Sequence, residues 1–200
     1  MAFDYCVGID EVGRGPLAGP VAVGAFLVVQ DRKSVQRLLR GVRDSKQLRE
    51  KEREEWFMRF SAARVAGLVD FKVSFVGPVR IDRIGIVRAV QLALNHSLKG
   101  FLLSPRRTKI LLDGRLIAPA EFVHQESIVR GDATEPLIAA ASIVAKVLRD
   151  RRMVQYARLY PQYGFERHKG YGTAEHLQVL HRYGLSPLHR ESFCQRILTQ

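Results

Sequence analysis

Four carboxylates stand where apolar runs of this sequence give way to turns. Asp10 and Glu11 end the first run, Asp113 ends KILLDG, and Asp132 follows the run that finishes at Val129. Two like charges about 4 Å apart repel by roughly 4 kcal/mol at an effective dielectric near 20, so clustered acids need cations to stay ionised. An all-oxygen donor set with no cysteine selects hard ions, Mg²⁺ or Mn²⁺. Two such ions held roughly 3.5–4 Å apart can activate a water, orient a phosphodiester and stabilise the departing oxygen of an in-line displacement. Spacing alone leaves a second reading open, in which Asp10 and Asp113 cap turns. There is also a geometric objection, because strand neighbours point to opposite faces. The glycine turn beginning at Gly13 eases the objection: if the pleat is already lost at Glu11, both side chains can reach the same crevice.

The elements that must position these acids follow from periodicity. A strand ending at Asp10, a turn over Gly13–Gly19 and a strand over Val21–Val29 read as a hairpin with a wide turn. A polar segment, Ser45–Arg53, leads into a helix marked by Trp56, Phe57, Phe60 and Ala63. A third strand covers Leu68–Val76, and one helix is expected over Ile81–Leu98. KILLDG reads as a strand buried on both faces, and Phe122–Val129 as a further strand. The longest helix runs from Pro136 to Tyr160. Tyr160–Gly172 reads as an exposed loop, Thr173 caps the next helix, and a short helix covers Arg190–Leu198. Strands alternating with helices after a hairpin predict an α/β fold: a mixed β-sheet flanked by helices on both sides, with a small C-terminal helical extension. The expected division is a catalytic domain over 1–158 and an extension over 159–200 that contributes to substrate binding. Acids at the carboxyl ends of strands converge in the crevice where such sheets bind ligands.

Lysines and arginines number 32 against 20 acids, a net charge of +12, and such a surface attracts a polyanion, nucleic acid first. No apolar run approaches the roughly 18 residues that span a bilayer, and no signal segment opens the chain. A cytoplasmic monomer is expected, with no membrane partner. Cys6 and Cys194 lack C-x-x-C spacing and are read as reduced thiols.

The residues GIDEVGRGPLAGPV at 8–21 resemble the opening signature of the ribonuclease HII family. The resemblance continues in order through DSKQL (44–48), LLDG (111–114), GD (131–132), AAASIVAKVLRD (139–150) and YPQYGFERHKGYGTAEH (160–176), nearly the whole chain. It implies a ribonuclease H-like fold with Asp10, Glu11, Asp113 and Asp132 as the metal-binding acids. It implies hydrolysis of the RNA strand of RNA–DNA hybrids, and of DNA containing single ribonucleotides, with two Mn²⁺ or Mg²⁺ ions. It further assigns Gly13, Arg14 and Gly15 to reading the 2′-hydroxyl, Tyr171 to stacking on the next sugar, and Lys46, Lys146 and Arg149 to the nucleic-acid side. Glycine suits close approach to a sugar, and Arg14 can bond phosphate. Arg149 with Asp150 reads equally well as a structural ion pair, and Ser142 with its alanine neighbours as a close helix–sheet contact.

The chain departs from the family pattern at Gly85 and Val90, where asparagine and threonine are usual, and at Arg115 after LLDG. A backbone contact near Gly85 is thereby in doubt. The histidines offer no rival site, since His176 and His181 are spaced i, i+5 and His168 reads as a loop residue. A non-catalytic RNA-binding protein would share the charge but gain nothing from clustered carboxylates. A DNA-cutting nuclease of the same fold would have no use for the Gly-Arg-Gly turn and Tyr171.

Overall fold

The computed structural model of the chain describes residues 3–29 and 33–198. Its elements, in order, are β1 (Tyr5–Val12), β2 (Val21–Val29), α1 (Lys33–Leu39), α2 (Glu50–Val65), β3 (Val69–Val76), α3 (Pro78–Ile84), α4 (Ile86–Lys99), β4 (Thr108–Asp113), β5 (Gln125–Ile128), α5 (Gly131–Thr134), α6 (Pro136–Leu159), α7 (Phe165–His168), α8 (Ala174–Tyr183) and α9 (Glu191–Leu198). One five-stranded sheet has the order β3-β2-β1-β4-β5. β1, β2 and β3 form an antiparallel meander, whereas β4 and β5 run parallel to β1. The expected mixed sheet with helices on both faces is therefore found.

Alternation along β1 decides what each face buries. Val7 and Ile9 join Val23, Ala25, Ile110 and Leu112 under the α4 residues Ala89, Ala93 and Leu94. Cys6 points the other way, into a core with Phe26, Phe57, Phe60, Phe71 and the apolar face of α6. Burying each such large side chain contributes about 1.5–3 kcal/mol, which fixes the strands whose ends carry the acids. The second face closes tightly because Gly8 and Gly24 leave room; a Cβ at either would overlap the α6 backbone at Leu137 or Ala141. A third core, Met153, Ala157, Tyr163, Phe165 and Leu180 with Ala18, packs the C-terminal segment against the β1–β2 turn.

Several elements differ from the sequence expectation. The helix expected over Ile81–Leu98 is two, α3 and α4, broken at Gly85, whose φ of 78° lies in the left-handed region that glycine alone adopts freely. Apolar spacing survives the break, so periodicity did not reveal it. α2 starts at Glu50 inside the polar segment, with Glu52 accepting the Arg49 amide at 2.8 Å. β5 spans only Gln125–Ile128, and Phe122 is buried outside it. The stretch read as an exposed loop, Tyr160–Gly172, contains α7 and buries Tyr163, Phe165 and His168. The short helix α1 was not anticipated.

Candidate active site

Asp10 lies within β1, directly across from Gly24 and on the face covered by α6. Its Oδ1 accepts the Glu11 amide at 2.7 Å, while Oδ2 is buried without a hydrogen-bond partner. Burial pushes this carboxyl well above the usual range; the Ser142 hydroxyl opposes the shift, and the charges of Glu11, Asp113 and Asp132 reinforce it. The Ser142 hydroxyl lies 2.7 Å from that of Ser45. Ser142 thus does more than allow close packing, since it ties the DSKQL segment to the acid site.

The pleat is not lost at Glu11. Glu11 stays in register with Val23 and Val12 with Ala22, so Asp10 and Glu11 project to opposite faces. They still couple electrostatically, because the pairing of β1 with β4 stops at Ile9 and Leu112 and leaves the sheet open beyond. Arg14 Nη1 sits 3.2 Å from Glu11 Oε1. Burial raises the Glu11 carboxyl, and Arg14 lowers it.

Asp113 ends β4, and its Oδ1 accepts the Asp132 amide at 3.3 Å. Burial and the Asp132 charge push the Asp113 carboxyl up. Asp132 belongs to the single turn α5, which the chain enters through Arg130 at φ 55°. Lys46 Nζ reaches Asp132 Oδ2 at 2.8 Å although the lysine side chain is 74% exposed. That contact raises the Lys46 ammonium above its ordinary value. The four acids therefore meet at one end of the sheet, yet among the described residues no three His, Cys, Asp or Glu side chains enclose an ion position as they stand. Lys46 and Arg14 supply positive charge beside the acids.

Beside the acids, the β1–β2 turn presents Arg14 and Gly15 on the surface, with Gly13 buried. A Cβ on Gly13, at φ 87°, would overlap the Arg149 side chain, whereas one on Gly15 would meet open space. Glycine at 13 is thus required by packing, and at 15 nothing within the protein requires it. Tyr171 is 40% exposed, and its ring lies 5.8 Å from Lys146 Nζ and 5.7 Å from Arg149 Cζ. Lys146 is mostly buried, bonds Asp150 at 2.9 Å, and is held below its ordinary value by burial. Lys146 is consequently turned inward, under Tyr171. Arg149 is fully buried and donates to the carbonyls of Pro20 and Lys169 at 3.0 and 3.1 Å, with Asp150 3.9 Å away. Its role is to brace the backbone more than to pair with its neighbour.

Sequence reasoning missed two residues of this body, Arg190 and His189. Arg190 is fully buried and donates to the carbonyls of Gly13, Arg14 and Gly19. His189 Nδ1 takes the Ser186 amide at 2.9 Å, its Nε2 meets His176 Nε2 at 3.0 Å, and His176 Nδ1 reaches the Tyr171 carbonyl at 2.9 Å. This chain of bonds closes only with both rings neutral, and burial pulls each down to about 4. Buried arginines and histidines leave no periodic mark; the pair His189-Arg190 just before α9 is the only signal.

A sequence model described as Ribonuclease HII matches residues 7–196. The chain belongs to the ribonuclease HII family. Ribonuclease HII of Caldicellulosiruptor bescii is 44% identical over 200 residues, covering 98% of this chain and 90% of the relative. That of Clostridioides difficile is 41% identical over 194 residues, covering 97% and 71%. Among solved structures, ribonuclease H2 from Pyrococcus horikoshii OT3 superposes with a TM-score of 0.71 at 27% identity over 96% of both chains. Bst-RNase HIII in complex with Mn²⁺ shares the fold, with a TM-score of 0.74 at 19% identity over 99% of this chain and 70% of that one. Membership of the ribonuclease HII family makes the chain a ribonuclease H hydrolase and brings dependence on a divalent metal. The residues fit such an ion: the donors are all carboxylate oxygens, and Asp10 Oδ2 is a buried acceptor without a donor. No helix among the described residues is long and apolar enough to cross a membrane.

Proposed function

We propose that this chain hydrolyses the RNA strand of RNA–DNA hybrids and cuts on the 5′ side of a ribonucleotide embedded in duplex DNA, leaving 3′-hydroxyl and 5′-phosphate ends. The observation that carries this reading is the pairing of a carboxylate cluster containing a buried, partnerless oxygen with an adjacent turn whose exposed backbone is open to a sugar. Asp10, Glu11, Asp113 and Asp132 would hold two Mn²⁺ or Mg²⁺ ions, which when bound lower the pKa of water and offset charge on the phosphodiester.

The chain's own residues do the rest. The backbone of Gly13, Arg14 and Gly15 meets the ribose, because no side chain at Gly15 stands in the way. Tyr171, propped on Lys146 and Arg149, faces the following sugar, where a second 2′-hydroxyl would interfere. Lys46 exchanges Asp132 for a backbone phosphate as the duplex arrives, since its exposed side chain is free to swing. Lys146 supports Tyr171 in place of a direct phosphate contact. In this division, residues 1–158 carry the acids and 159–200 complete the sugar-facing wall. Two buried, unpaired cysteines suit a reducing compartment, and we place the enzyme in the cytoplasm as a monomer.

An in-line attack on the phosphate expels the 3′-oxygen of the preceding nucleotide and leaves the 2′-hydroxyl untouched. Mapping the ends produced from a DNA duplex with one ribonucleotide, with and without divalent metal, tests the proposal. Metal-dependent cleavage 5′ to the ribonucleotide is expected; a 2′,3′-cyclic phosphate or a cut on its 3′ side would overturn it.

A further inference from the structure

Arg190 is an unusual cation. It is fully buried, and among the described residues it forms no ion pair with a carboxylate. Burial, with Arg149 nearby, pulls it down to about 9. Its hydrogen bonds go to three backbone carbonyls, Gly19 at 3.0 Å through Nε, Arg14 at 2.8 Å through Nη1 and Gly13 at 2.7 Å through Nη2, and the Asp82 charge also favours it. A buried cation so placed costs stability, which points to a use in fixing conformation.

The peptide group shows what is fixed. In a trans peptide the carbonyl and the following N–H point in opposite directions, and the described chain has no cis bonds. With the Gly13 and Arg14 carbonyls drawn inward onto one guanidinium fork, the N–H groups of Arg14 and Gly15 must face outward. Neither amide has a backbone acceptor among the described residues. The fork is itself anchored from both sides. The Arg190 amide donates to Leu17 at 2.8 Å, His189 is locked to His176, and Asp82 caps α9 by accepting the Glu191 and Ser192 amides at 3.0 and 3.1 Å.

We infer that Arg190 is a positioning residue for ribose discrimination: it holds the Gly13 and Arg14 carbonyls inward and so aims the Arg14 and Gly15 amides at the 2′-hydroxyl oxygen. This rests on the reading of the turn under the proposed function. Arginine's planar fork serves two adjacent carbonyls at once, which a lysine ammonium does less rigidly.

The test measures KM for a duplex carrying one ribonucleotide and Ki for the same duplex in all-DNA form as competitor, on the intact enzyme. For Arg190→Lys, KM should rise about tenfold while Ki stays within about twofold, and amide exchange at Arg14 and Gly15 should change. Asp82→Ala, which loosens α9 from outside the turn, should shift KM in the same direction by a smaller factor and decides the matter if Arg190→Lys does not fold. A folded variant with the wild-type KM-to-Ki ratio, or one that weakens both duplexes equally, overturns the role of Arg190. A wild-type enzyme with no preference for the ribonucleotide duplex would overturn the ribose reading itself, and Arg190's role with it.

Discussion

The acid end of the sheet and the turn beside it are built on opposite principles. Asp10 keeps a buried oxygen without a partner, and three of the four carboxyls are pushed up. The turn over Gly13–Gly19, by contrast, is tied down: Arg149 and Arg190 hold its carbonyls and that of Pro20, Gly170 accepts the Leu17 amide at 2.9 Å, and His176 holds Tyr171. One region is under-satisfied, and in the proposed function it would take a cation. The other is held in shape before any ligand arrives, so little ordering is left to do on binding. Under the proposed function the difference would separate chemistry from recognition, and each variant below should disturb one and spare the other.

The largest expected effect is on chemistry. Asp113→Asn should lower turnover at least about 100-fold, roughly 2.7 kcal/mol in barrier, while hybrid affinity stays near wild type. Turnover within tenfold of wild type would remove Asp113 from the site. Next, Gly15→Val should cut cleavage at a single ribonucleotide by about 10–100-fold with an unchanged melting temperature, because its side chain enters open space in the free protein. A Gly15→Val enzyme of normal activity would mean that no sugar approaches there. Tyr171→Ala should cost about tenfold on a single ribonucleotide and less on a uniform hybrid; equal losses would end its role at the junction.

These variants also show what the sequence alone could reveal. The motifs that carry the four candidate acids and the turn were legible because they occur in the family's order. The fold class was legible because period-2 and period-3.6 patterns alternate cleanly. The break at Gly85 was hidden, since apolar spacing runs through it. Whether the pleat persists at Glu11 was left open, since only the β1–β2 register decides it. Arg190 was invisible because the carbonyls it serves lie 171 or more residues away, and His189 because its ring meets another buried ring across the chain. Tertiary satisfaction of polar groups has no local signature.

Smaller effects concern charge. Because burial raises the folded Asp10 carboxyl, its ionised form opposes folding at pH 7, and Asp10→Asn should stabilise the metal-free protein. A variant no more stable than wild type in denaturant titration would mean that the buried carboxyl carries no such penalty. His176 and His189 act in the opposite pH direction, because their charged form is the cation and its burial costs stability in acid. Their folded values near 4 lie below the ordinary 6.5, so the unfolded chain binds more protons and stability should fall as pH drops from about 6.5 toward 4. A melting temperature flat over that range would contradict the neutral His–His bond. Lys46→Ala should make the log–log salt dependence of hybrid affinity shallower by up to about one unit. An unchanged slope would confine Lys46 to its contact with Asp132.

The contrast between the two regions is tested most directly by amide hydrogen exchange of the free enzyme with and without Mn²⁺. Protection should rise in the segments carrying Asp10, Glu11, Asp113 and Asp132 when the metal is added. The amides of Leu17, Ala18, Gly19 and Tyr171, each already bonded to a backbone carbonyl, should be slow without metal and unaffected by it. No metal-dependent change at the acids, or slow exchange at those four amides appearing only when metal is added, would contradict the proposed division between an acid site that takes a cation and a turn that is set in advance.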